Sequence, residues 1–207
     1  MIKLYTVPGT CSLAPHIILK ETALPHEIEV LKRGGSPEGW AELQKLNAMG
    51  LVPAIITEEG YPLFEATAIL QYLNQQSGEN LFPSSGKERF KAFEWLNFIA
   101  TELHKGFGPL FKTSEVTSEE NCFAGVKTKA HESLNRKLKV AETRFEGPEY
   151  TVGDHFSVVD AYLYVVLSWS KYAKVDLAPY GKLTSFVQKT AQRPSVIAAS
   201  KAEGLIK

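Results

Sequence analysis

Residues 2–30, IKLYTVPGTCSLAPHIILKETALPHEIEV, decide the fold. Ile2 and Leu4 alternate with Lys3 and Tyr5, the period of a strand with one face buried. Pro8-Gly9 ends that strand. Leu13, Ile17 and Leu24, with Ala14 and Ile18 beside them, then mark one face of a helix over about residues 12–24. Pro15 suits that helix only in its first turn, where backbone N–H groups lack helical partners. Ile28 and Val30 alternate with Glu27 and Glu29 in a second strand. Strand, helix, strand predicts a parallel pair joined by a right-handed crossover.

The pattern continues outward. A Gly-Gly-Ser-Pro loop at 34–37 leads into a short helix carrying Trp40, Leu43 and Leu46. Ala54 to Thr57 and Tyr61 to Phe64 read as a hairpin turning at Glu59-Gly60, and Ala66 to Gln76 as a helix. Residues 1–76 therefore spell β-α-β-α-β-β-α. Residues 77–86, SGENLFPSSG, read as a linker. From 87 to 207 the texture is all helical: a long pattern through Phe90, Phe93, Leu96 and Leu103, then Val126 to Phe145, Val158 to Tyr172 and Leu183 to Thr190.

Composition narrows the function. The 207 residues carry 23 basic and 23 acidic side chains, so net charge offers no argument for nucleic acid or an anionic membrane. No apolar run reaches a membrane span, and MIKLYT lacks the features of a signal peptide. The two cysteines make no disulfide framework, which implies a reducing, cytoplasmic setting. There is no phosphate-cradling glycine loop, no dinucleotide fingerprint and no HExxH, and the five histidines show no zinc-ligand spacing, so no metal is expected.

Four places carry chemistry. Cys11 stands where a turn enters a helix, where the dipole and free N–H groups lower a thiol pKa. The position three residues on is Ala14, which excludes dithiol cycling and leaves one-thiol chemistry; a small buried residue at a tight turn fits the position equally well. Thr10 and Ser12 are helix N-cap candidates, and capping is the expected role of at least one of them. Val52-Pro53 opens a strand; a cis bond there would present the Val52 backbone to a peptide-like ligand, but base rates favour a plain trans strand start. Glu65-Ala66 opens a helix whose free N–H groups suit a carboxylate, with Glu65 able to hold an ammonium or simply to complement the helix dipole. Asn97, Thr101, His104 and Lys105 share roughly one side of a helix, either a solvated stripe or a cleft wall on which His104 acts near neutral pH. Phe156-Ser157-Val158-Val159-Asp160 reads as a capping box with a structural role, and Cys122 as structural.

Taken in order, PGTCSLAPHI, LVPA, FEATAILQYL, EWLNFIATELHKGFGPLF, VGDHFSVVDAYL and AQRPSV…AEGL resemble the cytosolic glutathione transferases, most closely the bacterial beta class. The resemblance implies a thioredoxin-like domain over 1–76, a linker over 77–86 and an all-helical domain over 87–207 lining the electrophile site, paired as a homodimer. It implies glutathione as co-substrate, with Cys11 and His104 catalytic. Tyr5, Cys11, Val52, Pro53, Glu65, Ala66, Asn97 and Lys105 would meet glutathione, Asn97 across the dimer. Tyr5, Phe107 and Trp169 would wall the electrophile pocket. Lys32 or Arg33 is a candidate for the glycine carboxylate. Position 66 is often Ser or Gly in relatives; Ala66 keeps the N–H but offers no hydroxyl. The reaction implied is conjugation to small hydrophobic electrophiles, with mixed-disulfide chemistry at Cys11. A glutathione-dependent thiol reductase and a non-catalytic binding protein are the alternatives.

Overall fold

The computed structural model describes residues 1–32, 37–145, 147 and 149–207; the 34–37 loop of the sequence reading and Arg33 lie mainly or wholly outside these residues. Strand β1 (Ile2–Thr6), helix α1 (Leu13–Thr22), β2 (His26–Val30), α2 (Pro37–Leu46), β3 (Ala54–Ile56), β4 (Pro62–Phe64) and α3 (Ala66–Ser77) follow the expected order. The sheet runs β2-β1-β3-β4. β1 lies parallel to β2, Leu4 opposite Ile28, and antiparallel to β3, Leu4 opposite Ile55; β3 pairs antiparallel with β4. This is a thioredoxin-like arrangement followed by helices.

Alternation along β1 sorts its side chains to two faces. Ile2 and Leu4 face α1 and α3 and join the main core. Tyr5 and Val7 face α2 and join a smaller cluster with Leu31, Leu43 and Ala54.

The helical part begins with α4 (Gly86–Phe98), a π-helical stretch at Ile99–His104 and α5 (Lys105–Phe111). Two 3-10 turns precede α6 (Phe123–Arg144), followed by α7 (Val158–Ser168), α8 (Ser170–Ala173), α9 (Gly181–Thr190) and α10 (Pro194–Ala202). The pattern over Val158 to Tyr172 is two helices rather than one. Cys122 ends the second 3-10 turn at the start of α6, where it is free and exposed. α1 packs on α3, α7 and α10, so both halves share the main core.

α7 is nearly all apolar and almost wholly buried, so its amino end must satisfy its own donors. Ser157 and Asp160 form the expected capping box: Ser157 Oγ accepts from the Asp160 N–H at 3.3 Å, and Asp160 Oδ2 accepts from the Ser157 N–H at 2.9 Å. Asp160 Oδ1 also accepts from the Thr151 N–H and hydroxyl, both at 2.8 Å. Asp160→Ala leaves these buried donors unpaired, and the loss expected in urea unfolding is about 2–4 kcal/mol. An unchanged unfolding curve would contradict the assigned role.

Candidate active site

The site is built around the turn between β1 and α1. Gly9 adopts a φ of 72°, a left-handed conformation that a side chain resists, and a Cβ there would come within 3.3 Å of Leu205. The chain following α10 closes over this turn. Glu203 Oε2 accepts from the Gly9 N–H at 3.0 Å, while its Oε1 accepts from the Thr6 hydroxyl at 2.8 Å and pairs with His16 Nδ1 at 2.9 Å. Trp169 donates its indole N–H to the Gly9 carbonyl at 2.8 Å. Both backbone groups of Gly9 are thus held by residues of the helical half. Ser12 makes no capping bond to α1; its hydroxyl accepts from the Val7 N–H at 3.1 Å and fastens the turn instead. Thr10 bonds the Val7 carbonyl.

Cys11 follows this turn, 8% exposed, within the main core. Its Sγ donates to the Val52 carbonyl at 3.4 Å. Burial pushes the thiol up to about 12, and the neighbouring Glu65 charge adds to that; the N–H groups of Cys11 and Ser12 oppose it but do not prevail. This corrects the expectation of a lowered pKa. A helix terminus stabilises a thiolate only where the sulfur keeps enough polar surroundings, and here apolar packing wins.

His104 is the second group drawn in. The π-helical stretch turns it inward, so that it does not share a side with Asn97, Thr101 and Lys105, which remain exposed. Its Nδ1 lies 2.8 Å from the Tyr162 hydroxyl, and its ring meets Trp169 edge-on at 4.9 Å. Burial, helped by the Lys105 charge, lowers His104 to about 4. It is therefore neutral at physiological pH, not poised near it. Tyr162 went unnoticed in the sequence. It is 2% exposed, and its hydroxyl is held far above the usual tyrosine range by burial and then by the proximity of Cys11 and Glu65.

The Val52–Pro53 bond is cis, where base rates favoured trans. Glu65 is exposed and precedes α3 with a φ of 67°, a costly conformation for a residue with a side chain, of the kind retained at functional sites. Ala66 opens α3 beneath it. Asn97 bonds the Phe93 carbonyl of its own helix. Exposed Lys32 accepts the Trp40 indole N–H on its carbonyl.

Two aromatic expectations need correction. Tyr5 points to the α2 side of the sheet, where its hydroxyl donates to Glu42 at 2.6 Å, while Cys11 belongs to the core on the other side. Strand alternation removes it from the thiol and from an electrophile wall. Phe107 is completely buried, packed edge-to-face on Trp169, because it lies one turn from buried Leu103 on the same face. The accessible aromatic beside Trp169 is Phe111, 48% exposed with ring centroids 6.3 Å apart. Two grooves of about 450 and 400 Å³ lie elsewhere, one at the end of α3 and one on α6, and neither contains an expected site residue. Among the described residues no cluster of acidic, histidine and cysteine side chains could hold a metal ion.

Comparison with known proteins finds relatives along nearly the whole chain. Residues 1–75 match the family model "Glutathione S-transferase, N-terminal domain" and residues 98–194 match "Glutathione S-transferase, C-terminal domain". The glutathione S-transferase GstA of Escherichia coli O157:H7 is 36% identical over 99% of this chain and the whole of the relative. A solved glutathione transferase from Methylococcus capsulatus str. Bath is 41% identical, covers both chains in full and superposes with a TM-score of 0.88. A sphingomonad glutathione S-transferase structure, complexed with glutathione, is 36% identical over 99% of this chain and all of its own, with a TM-score of 0.83.

The two cysteines should differ sharply towards iodoacetamide, which reacts with thiolate. At pH 8 a thiol with a pKa near 12 is ionised in about one molecule in ten thousand. Peptide mass spectrometry should find Cys122 alkylated at least tenfold faster than Cys11, with the Cys11 rate climbing up to the limit of native folding at alkaline pH. Equal rates at pH 8 would contradict the buried, protonated Cys11.

Proposed function

The chain belongs to the glutathione S-transferase family, and we propose that it joins the sulfur of glutathione to small hydrophobic electrophiles at the Cys11 turn. The observation that carries this reading is the placement of Cys11: its Sγ is buried and lies 3.4 Å from the Val52 carbonyl, an arrangement that suits a hydrogen-bond donor better than a nucleophile. The nucleophile is then the sulfur of glutathione. That thiol gives up its proton to solvent, its electron pair forms the carbon–sulfur bond, and the leaving group departs with its own pair. In an addition the displaced pair takes up a proton instead.

The remaining roles follow from chemistry. Glu65 holds the ammonium of the γ-glutamyl group, and the first N–H groups of α3, from Ala66, receive its carboxylate. The backbone of Val52, fixed before Pro53, pairs with the cysteinyl unit. Neutral His104 serves as a donor to a thiol or thiolate rather than as a base. Lys105 is exposed at the start of α5 and adds positive charge nearby. Trp169 and Phe111 offer the apolar surface for the electrophile. Residues 1–76 then hold glutathione, 77–86 connect, and 87–207 supply the electrophile wall. The chain acts as a cytoplasmic homodimer, with Asn97 reaching the partner's glutathione; exposed Phe90 on α4 and Tyr61 before β4 give apolar surface for pairing. The buried, protonated Cys11 argues against the thiol-reductase alternative, since exchange with a glutathione disulfide requires the thiolate.

Calorimetry with glutathione tests this directly. Glu65→Gln removes one charge-assisted contact, about 1.5–3 kcal/mol, and should raise the dissociation constant roughly 10- to 150-fold. Cys11→Ala should keep most conjugation. No binding at millimolar glutathione, or full affinity in the Glu65→Gln variant, would overturn the assignment.

A further inference from the structure

We propose that Tyr162 is a positioning residue of this site, donating its hydroxyl hydrogen to His104 Nδ1 and so fixing the imidazole proton on Nε2. The inference rests on the reading of His104 as a donor to sulfur, and gives that reading its physical basis. The oxygen and nitrogen lie 2.8 Å apart, with the rings nearly perpendicular and their centroids 6.1 Å apart. Among the described residues, this hydroxyl bonds to His104 Nδ1. Were Nδ1 to carry the proton, the phenolic hydrogen would be left in the core without an acceptor, an unfavourable arrangement. Phenol is also the stronger donor, and imidazole nitrogen the stronger acceptor, of the pair.

The surroundings keep both groups in the required forms. Tyr162 lies among buried α7 side chains, and the nearby Cys11 and Glu65 further disfavour its anion, so the O–H persists. His104 is neutral, held so by burial and by Lys105. Trp169 packs edge-on against the imidazole and is itself tied to the Gly9 carbonyl. The ring is thus held by α7 through Tyr162 and by the Cys11 turn through Trp169. With Nδ1 occupied, Nε2–H is the donor left for a ligand sulfur. A histidine lacking Tyr162 would divide between two tautomers, only one of which can donate from Nε2.

The test is ¹⁵N NMR on the full chain with labelled histidine, His104 being assigned by the signals lost in His104→Gln. At pH 7 the wild-type protein should show a protonated Nε2 and a bare Nδ1. In Tyr162→Phe the two shifts should move towards each other, and kcat should fall about 3- to 10-fold, as loss of one neutral hydrogen bond allows, with KM for glutathione within twofold. A protonated Nδ1 in the wild-type protein, or an unchanged nitrogen pattern in Tyr162→Phe, overturns the proposal whatever the activity. Absence of any conjugating activity would instead remove the proposed function, while the wild-type spectrum would still decide the tautomer.

Discussion

Everything at the site depends on how Gly9 is held. Its N–H goes to Glu203 and its carbonyl to Trp169, residues that follow it by 194 and 160 positions. Leaving either backbone group unpaired in this packed region would cost about 1–3 kcal/mol, so the turn and the helical half form together. The same turn brings Cys11 to the Val52 carbonyl and holds Trp169, whose ring meets His104 edge-on. The site therefore belongs to neither half. The sheet supplies the turn and the α3 terminus, and the helices supply the groups that fix the turn.

Burial then decides the chemistry of the sulfur. A thiol at a helix amino end is subject to two opposed influences: local N–H groups favour the anion, and loss of water disfavours it. At Cys11 the second prevails and the thiol is pushed up to about 12. The proposed function draws on this as a division of labour, in which the protein provides S–H and N–H donors and the bound tripeptide the nucleophile. His104 follows the same logic. Its burial lowers its affinity for a proton, so the imidazole stays neutral and is only a weak base.

Local periodicity made much of this legible in the sequence. The alternation of Ile2 and Leu4 with Lys3 and Tyr5, the helical face from Leu13 and the hairpin before Ala66 fixed the order of elements; Ser157 and Asp160 announced the start of α7. Contacts between distant residues were not legible. Nothing near Cys11 signals that Trp169 and Glu203 will hold the turn before it; of the two readings its position allowed, reactive thiol and small buried residue, the packing matches the second. The π-helical stretch at Ile99–His104 contains neither proline nor glycine to mark it, and without it His104 would lie with the exposed stripe. Tyr162 stands within VGDHFSVVDAYL with no local feature to set it apart. Tyr5 is the opposite case: its alternation with Ile2 and Leu4 already placed it on the far face of the sheet, against the role that family resemblance suggested.

The most direct test of this division is an ultraviolet titration of thiolate absorbance in the glutathione complex, comparing wild-type protein with Cys11→Ala. The account expects the thiolate signal that appears on glutathione binding near neutral pH to persist undiminished in Cys11→Ala, because the anionic sulfur belongs to the ligand. Disappearance of that signal with the Cys11 side chain would show that Cys11 is the group that ionises, and would contradict the account.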